Sequence, residues 1–343
     1  MSHELLSNLL YIIVGFSWMM YLSQELFISG ASALNISLAK DEEERKQIQA
    51  TAGLHFDGME VWLIAALTIT FGAFRVAFAT ILPHLYVVFF LLVYAIIARG
   101  VSLEVMYKLD NKKWQKAMKY TWMISSLLLM LFLGVYITNL FYGFPYDGTN
   151  MTKGFISIFS VTGIMGGVFF VLLSLVSGAA WISVTCVGDL GKRALGFVKK
   201  VGVIYMVPVV LLLVFMGFNN TTASLFVGDL FTDYYVLFLL PFMTVISAIL
   251  VTVFGIKEDG KKMFIFTVVT MALFIITGFV GTFPNVMLSN IDPAFSIKIA
   301  DTVASKKAAT TIFTVIMIFY PLILGYQGWK YYRFAFGIKL NDE

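Results

Sequence analysis

The residues of this sequence best suited to chemistry are carboxylates set in apolar surroundings. Glu25 lies in a stretch almost free of other charges. Tyr21, Glu25, Ser29 and Ser32 recur at helical spacing, so a helix sets them on one face as a polar stripe. Such a stripe suits a proton relay, or equally a protonated carboxyl hydrogen-bonded to a neighbouring helix for packing. The second group is His55-Phe56-Asp57-Gly58-Met59-Glu60-Val61-Trp62. Asp57 suits the N-cap of the helix that follows, where its oxygen satisfies orphan backbone N–H groups. It also suits the collection of protons from water at the mouth of that helix, with Glu60 one turn further in as the next station. Arg75 follows Asp57 on the same helical face, about 27 Å along the axis at 1.5 Å per residue. There it either snorkels to lipid headgroups or forms a salt bridge within the bundle or to a partner.

The elements that must carry these residues are transmembrane helices. Of the 343 residues 59% are hydrophobic and only 13% charged, with a mean hydropathy of +0.88. Soluble domains keep roughly a quarter of their residues charged. Apolar runs of about 20 residues, the length needed to cross a hydrocarbon core, recur along the chain. They predict an all-α, polytopic transmembrane bundle of nine spans, at 7–31, 58–80, 83–103, 120–141, 155–185, 201–218, 234–256, 263–285 and 309–329. Residues 1–343 read as a single integral membrane domain. Pro83 is expected to break the chain between the second and third spans. The span at 155–185 exceeds what a bilayer needs, so it is expected to tilt or protrude. The first stretch lacks a basic leader and a small-residue cleavage site, so it reads as a retained helix.

Loop charge sets the orientation. With nine spans, 19 of the 24 Lys and Arg residues fall on one side, four on the other, and Arg75 within a span. The expected arrangement is N-terminus outside and C-terminus cytoplasmic, which puts Glu25, Asp57 and Glu60 near the cytoplasmic side. The +4 net charge is thus topological, and no nucleic-acid partner is expected.

Cys186 is the only cysteine, which excludes an internal disulfide and a cysteine metal cluster within the chain. His3 and His84 fall near span ends on the outer side, without a histidine or methionine partner spaced for haem ligation. The 17 methionines are scattered, as gap-fillers are. No phosphate-binding glycine loop or nucleotide fingerprint is present. Aromatic pairs such as Tyr234-Tyr235 and Tyr331-Tyr332 mark interfacial belts.

Several strings together resemble the second subunit of cytochrome bd-type quinol oxidases. The family pattern H-W-D-G-x-[Q/E]-V-W-L is matched by His55-Phe-Asp-Gly-Met-Glu-Val-Trp-Leu63. Arg99 is followed five residues on by Glu104 and then a basic loop to Trp114. Asn139-Leu-Phe-Tyr-Gly-Phe-Pro145 is similar to G-N-L-x-x-G-x-P, and Thr277-Gly278 with Phe283-Pro284 to T-x-G-x-x-x-F-P. Gly178-Ala-Ala-Trp, Thr185, Gly188 and Arg193 also fit, so the likeness runs from the first span to the ninth. Departures are Ile28 where a second acid is common, Phe56 for tryptophan, and Leu288 for proline.

The resemblance implies a subunit of a respiratory enzyme of the bacterial cytoplasmic membrane that oxidises a membrane quinol and reduces dioxygen to water. It implies that haems b and d belong to subunit I, a partner of similar fold, and that this chain ligates none. It implies a proton path through Asp57 and Glu25, beside which Glu60 stands as a further acid. Arg75, Arg99 and Glu104 are expected to be structural charges. Lipid and quinol are expected neighbours, and a small third subunit is left open. The rival reading is a proton- or ion-coupled transporter using Glu25 and Asp57, although the paired broken helices usual there are not found. A membrane scaffold without a proton role is a further alternative.

Overall fold

The fold is organised around its first helix. The computed structural model describes residues 1–152, 154–218 and 233–334, and the side chains of Asp57, Met216, Phe218 and Phe334 stand outside that description. Helix α1 (His3–Leu38) is capped by Ser2, whose Oγ accepts the Leu5 N–H at 3.2 Å. Every residue from 21 to 35 is buried. A helix apolar on nearly all sides must be surrounded. Here α2 (Glu42–Ala73), α5 (Lys112–Tyr142), α6 (Val161–Thr185), α10 (Gly260–Thr282) and α12 (Lys306–Phe334) pack on it. The remaining helices are α3 (Arg75–His84), α4 (Tyr86–Val105), α7 (Asp189–Val201), α8 (Met206–Phe218), α9 (Leu239–Ile256) and the short α11 (Ile299–Thr302).

Among the described residues, eight helices are long and apolar enough to cross a membrane, or nine if α7 and α8, bent by 46°, form one span. The nine expected spans correspond to these, with corrections at their ends. The break after α2 falls at Phe74 (φ −120°, ψ 60°), and Pro83 lies inside α3. The kink persists because the strap at 302–304 bonds into it: Ala304 N–H donates to Ala73 O (2.8 Å), and the Ala77 N–H donates to Thr302 Oγ1 (3.0 Å). Residues 154–158 form a 3₁₀ turn, and α6 starts only at Val161, where Ser160 Oγ accepts the Gly163 N–H (3.1 Å). The excess length of that expected span is therefore a separate turn. Residues 189–201, expected in a loop, form the amphipathic α7, which buries Leu190, Ala194 and Val198. Lys199 of α7 bonds Glu258 in the α9–α10 turn (2.6 Å) and holds that carboxylate below its usual pKa. A two-stranded antiparallel pair, β1 (Asn285–Met287) with β2 (Ile297–Lys298), interrupts the all-helical plan at the opposite end.

Close approach of α1 to α6 requires two glycines. A Cβ on Gly30 would meet the Ser174 carbonyl, and one on Gly178 would meet the backbone of Gly30 and Ala31. Small residues permit this backbone-to-backbone crossing. Because the obstacle is backbone, it has no side chain to swing aside. Gly178→Val is expected to cost about 3 kcal/mol, the upper end for overpacking, read as a lowered thermal midpoint and poor recovery of the detergent-solubilised protein.

Candidate functional site

Helix α4 buries one row, Val88, Leu92, Ala95, Arg99 and Ser102. Arg99 continues that row, so helical geometry directs a guanidinium into the apolar interior against α1. It meets the stripe of Glu25 and Ser29. Arg99 Nη1 donates to Glu25 Oε1 and to Ser29 Oγ (2.8 Å), while Nη2 donates to Glu25 Oε2 (3.0 Å). Ser29 Oγ in turn donates to Glu25 Oε1. The pair is thus a two-pronged carboxylate–guanidinium fork, the strongest geometry open to these groups. Both side chains are 0% exposed. Tyr21 is buried one turn before Glu25 on the same face.

A second carboxylate reaches the same cation. Glu60 Oε1 of α2 accepts from Arg99 Nη2 at 3.2 Å, and its side chain is 20% exposed. Arg99 therefore links a sealed acid to one open to the surroundings. Its flat face lies over Phe56, with the guanidinium carbon 4.8 Å from the ring centre. Gly100 makes room for that ring, since a Cβ there would come 3.1 Å from Phe56 Cζ. The sequence pattern has tryptophan at position 56, and phenylalanine supplies the same aromatic floor.

A second polar cluster forms on the other side of α2. His55 is buried and stacks on Tyr331 (centroids 4.7 Å apart, 10° between planes), with Trp181 edge-on at 5.3 Å and Phe27 at 6.1 Å. Tyr331 Oη donates to Gln24 Oε1 (3.0 Å), and Gln327 Nε2 donates to Gly58 O. The glycine of the His-x-Asp-Gly string thereby acquires a physical reason. A Cβ at 58 would lie 2.7 Å from Lys330 Nζ and 3.3 Å from Gln327 Nε2.

Asp57 itself is placed otherwise than at an N-cap. Helix α2 begins at Glu42, where Asp41 Oδ1 accepts the Glu44 N–H (2.9 Å), so Asp57 lies well inside the helix and has no capping role. Its side chain lies outside the described residues. Arg75 is exposed in the first turn of α3, and Glu104 is exposed near the end of α4, so neither joins the network. Arg99, expected as a structural charge, is the ion-pair partner of both Glu25 and Glu60. Sequence reasoning alone did not pair them, although an acid and a base in neighbouring spans are expected to find each other in hydrocarbon. It also passed over Gln24, Gln327 and Lys330, and it put Tyr331 in an interfacial belt with Tyr332, whereas Tyr331 turns inward to His55 and Gln24 and only Tyr332 is exposed; the polar positions three and four apart on α12 were the available signal.

The family model of cytochrome bd terminal oxidase subunit II matches residues 6–334. The chain belongs to this family. It is 29% identical over 333 residues to cytochrome bd ubiquinol oxidase subunit 2 of Bacillus subtilis, covering 96% of each chain. It is 22% identical over 368 residues to cytochrome bd-I ubiquinol oxidase subunit 2 of Escherichia coli K12, covering 99% of this chain and 97% of that one. The fold is also that of a chain in the bd oxidase structure from Geobacillus thermodenitrificans, with a TM-score of 0.74, 12% identity, and 98% and 99% of the two chains covered.

Haem is the group that a bd oxidase implies, and the buried His55 does not fit it. His55 is walled in by the rings of Tyr331, Trp181 and Phe27, with no room for a porphyrin. Among the described residues, no three His, Cys, Asp or Glu side chains gather as a metal site would require.

Two expectations follow from the network. Arg99→Leu strands Glu25 in an apolar interior and is expected to cost about 3–5 kcal/mol. The double variant Arg99→Leu/Glu25→Leu should regain most of it, measured by thermal unfolding of the purified protein. Gly58→Ala displaces only the flexible tips of Lys330 and Gln327, so about 1 kcal/mol is expected, well below the cost of Gly178→Val in the same assay.

Proposed function

We propose that this chain is the second subunit of a quinol-oxidising, dioxygen-reducing complex of the bacterial cytoplasmic membrane. The observation that carries the reading is the match of the subunit II family model across residues 6–334. The curated relatives are named as subunits of ubiquinol oxidases, which makes a subunit I the expected partner. The haems b and d are assigned to that partner, as the family resemblance implies, and the ring-enclosed His55 is in keeping with this. A transporter reading is not favoured, since the family match accounts for the chain from its first helix to its last.

The N-terminus is assigned to the outside, with the lysine-rich loops and C-terminus in the cytoplasm. On that orientation Glu25, Asp57 and Glu60 lie toward the cytoplasmic half of the bundle. Reducing dioxygen to water consumes protons, and drawing them from the cytoplasm while quinol releases its own outside builds a proton gradient. Protons cross an apolar bundle only over ionisable or watered groups. Asp57 is the proposed point of uptake, with Glu60 and Glu25 beyond it. The Arg99 fork suits such a relay, because two carboxylates lie against one guanidinium and either can hold it. Arrival of a proton on Glu60 weakens its hold on Arg99 and strengthens the hold of Glu25.

The test is purification of the complex from its native membrane by a tag on this chain. Reduced-minus-oxidised bands of b- and d-type haem, with a haem-bearing partner on the gel, are expected. A colourless single polypeptide would overturn the assignment. In the coloured complex, Asp57→Asn is expected to lower quinol-driven oxygen consumption about 10-fold or more, the scale at which a positioned proton-transfer group acts, with the haem content unchanged; Glu25→Gln is expected to lower turnover per haem on the same scale and, by taking the charge from the Arg99 fork, to lower the yield of complex as well.

A further inference from the structure

Most polar side chains in the buried stretch of α1 are already committed. Ser17 Oγ is shared between Ile13 O (2.6 Å) and Tyr320 Oη (2.5 Å). Gln24 donates to Met20 O (3.0 Å) and accepts from Tyr331 Oη (3.0 Å). Ser29 Oγ accepts from Arg99 Nη1 (2.8 Å) and donates to Glu25 Oε1. Tyr21 differs. It is fully buried, its ring lies edge-on to Trp18 with the centroids 6.3 Å apart, and its hydroxyl forms no hydrogen bond of good geometry. It sits one turn before Glu25 on the same helical face. Glu25 is the charge that acts on it most strongly, ahead of Glu60 and Arg99. Ser23 also lacks a partner, but an offset of two residues from Glu25 turns it to another face.

The oxygens of Glu25 have room for this hydroxyl. A carboxylate offers roughly four acceptor sites. Oε1 accepts from Arg99 Nη1 and from Ser29 Oγ, while Oε2 accepts only from Arg99 Nη2. A proton arriving on Glu25 reverses the requirement, because the new O–H needs an acceptor of its own. The Arg99 guanidinium has donors and no acceptor. Ser29 Oγ is engaged at both ends, and Glu60 lies beyond Arg99. A phenol hydroxyl can both donate and accept.

We propose that Tyr21 is a positioning residue of the proton relay, whose hydroxyl donates to the Glu25 carboxylate and turns to accept once Glu25 carries a proton. The inference rests on the proton-path reading given above. The bond that forms is the new O–H on Glu25, with its proton drawn from the cytoplasmic water along that path. Tyr21 keeps its own O–H and only reorients it. Arg99, no longer paired to a charged Glu25, stays held by Glu60 at 3.2 Å. A carboxylic acid sealed in an apolar bundle with its O–H unanswered bears the cost of a buried unpaired donor. Tyr21 removes that cost, so the sealed acid can hold a proton between uptake and delivery.

The experiment uses the whole complex, with turnover normalised to haem content, and reads the carboxyl C=O band of protonated Glu25 in reduced-minus-oxidised infrared spectra. The band is assigned by its displacement in Glu25→Asp. Tyr21→Phe removes one oxygen atom and leaves the ring against Trp18. In this variant the band is expected to move to higher wavenumber, as a carboxyl does on losing a hydrogen bond. Turnover per haem is expected to fall about 10-fold, the lower end of what one hydrogen bond to a charged group is worth. The inference is overturned if band and turnover per haem both stay where the wild type has them. A lower yield of Tyr21→Phe complex with an unmoved band overturns it equally, since the hydroxyl is then structural. The wild type alone also tests it: a Glu25 band already at the position of a free carboxyl rules out the Tyr21 partner, whether or not the variant assembles. A wild-type complex that shows no Glu25 band in any redox state, and turnover per haem unchanged in Glu25→Gln, sinks the proton-path reading and this inference with it.

Discussion

An ionised side chain cannot rest in hydrocarbon without a partner, and the interior of this protein is arranged around that constraint. The Arg99 guanidinium is fully buried between Glu25, Ser29 and Glu60, floored by Phe56. Three helices meet at this one cation: α1 through Glu25, α2 through Glu60 and α4 on which Arg99 itself stands. Desolvating such a group costs several kcal/mol, and only good geometry with further hydrogen bonds recovers it. The two-pronged fork to Glu25 and the added contact to Ser29 provide that geometry. A pair so arranged fixes the relative rotation of its helices, because turning any one of them would expose a charge to lipid or strand it.

Close packing of backbones serves the same centre. The Gly30–Gly178 crossing brings α6 onto α1 one turn beyond Glu25, with no side chain between them. That crossing allows α1 to be buried continuously over residues 21–35. The Glu25 carboxylate is thus fully enclosed, with Arg99 between it and Glu60. The arrangement separates a sealed acid from one with access, with a cation between them.

The His-x-Asp-Gly string turns out to join two functions of packing and polarity. Gly58 is small because α12 sets Gln327 and Lys330 against it, and His55 is the aromatic face on which Tyr331 stacks. Helix α12 is otherwise loosely covered within this chain, so these contacts together with the Ser17–Tyr320 hydroxyl bond, 2.5 Å long, secure it to α1 and α2. Polar contacts suit this role in a membrane, where apolar surfaces gain little by exchanging lipid for protein.

Composition and the recurrence of apolar runs by themselves determined that the chain is a polytopic helical bundle, because bilayer thickness leaves so few other solutions. The same local rules placed Tyr21, Glu25, Ser29 and Ser32 on one buried face, and the strings around Asp57, Asn139 and Thr277 were enough to suggest the family. Helix ends were less legible. The kink at Phe74 depends on a strap more than two hundred residues away, and Pro83, the local breaker, is accommodated in the last turn of α3. A sequence period reports which face is apolar but not which distant residue completes a backbone hydrogen bond. Which charge answers Glu25 was decided only in three dimensions. Arg99, Glu104 and Arg75 are equally conspicuous in the sequence, and the rotation of α4 turns Arg99 inward and leaves Glu104 exposed, while Arg75 is exposed at the start of α3. Lys330 was submerged in the same way among loop lysines that set topology, and only the packing of α12 against Gly58 separates it from them.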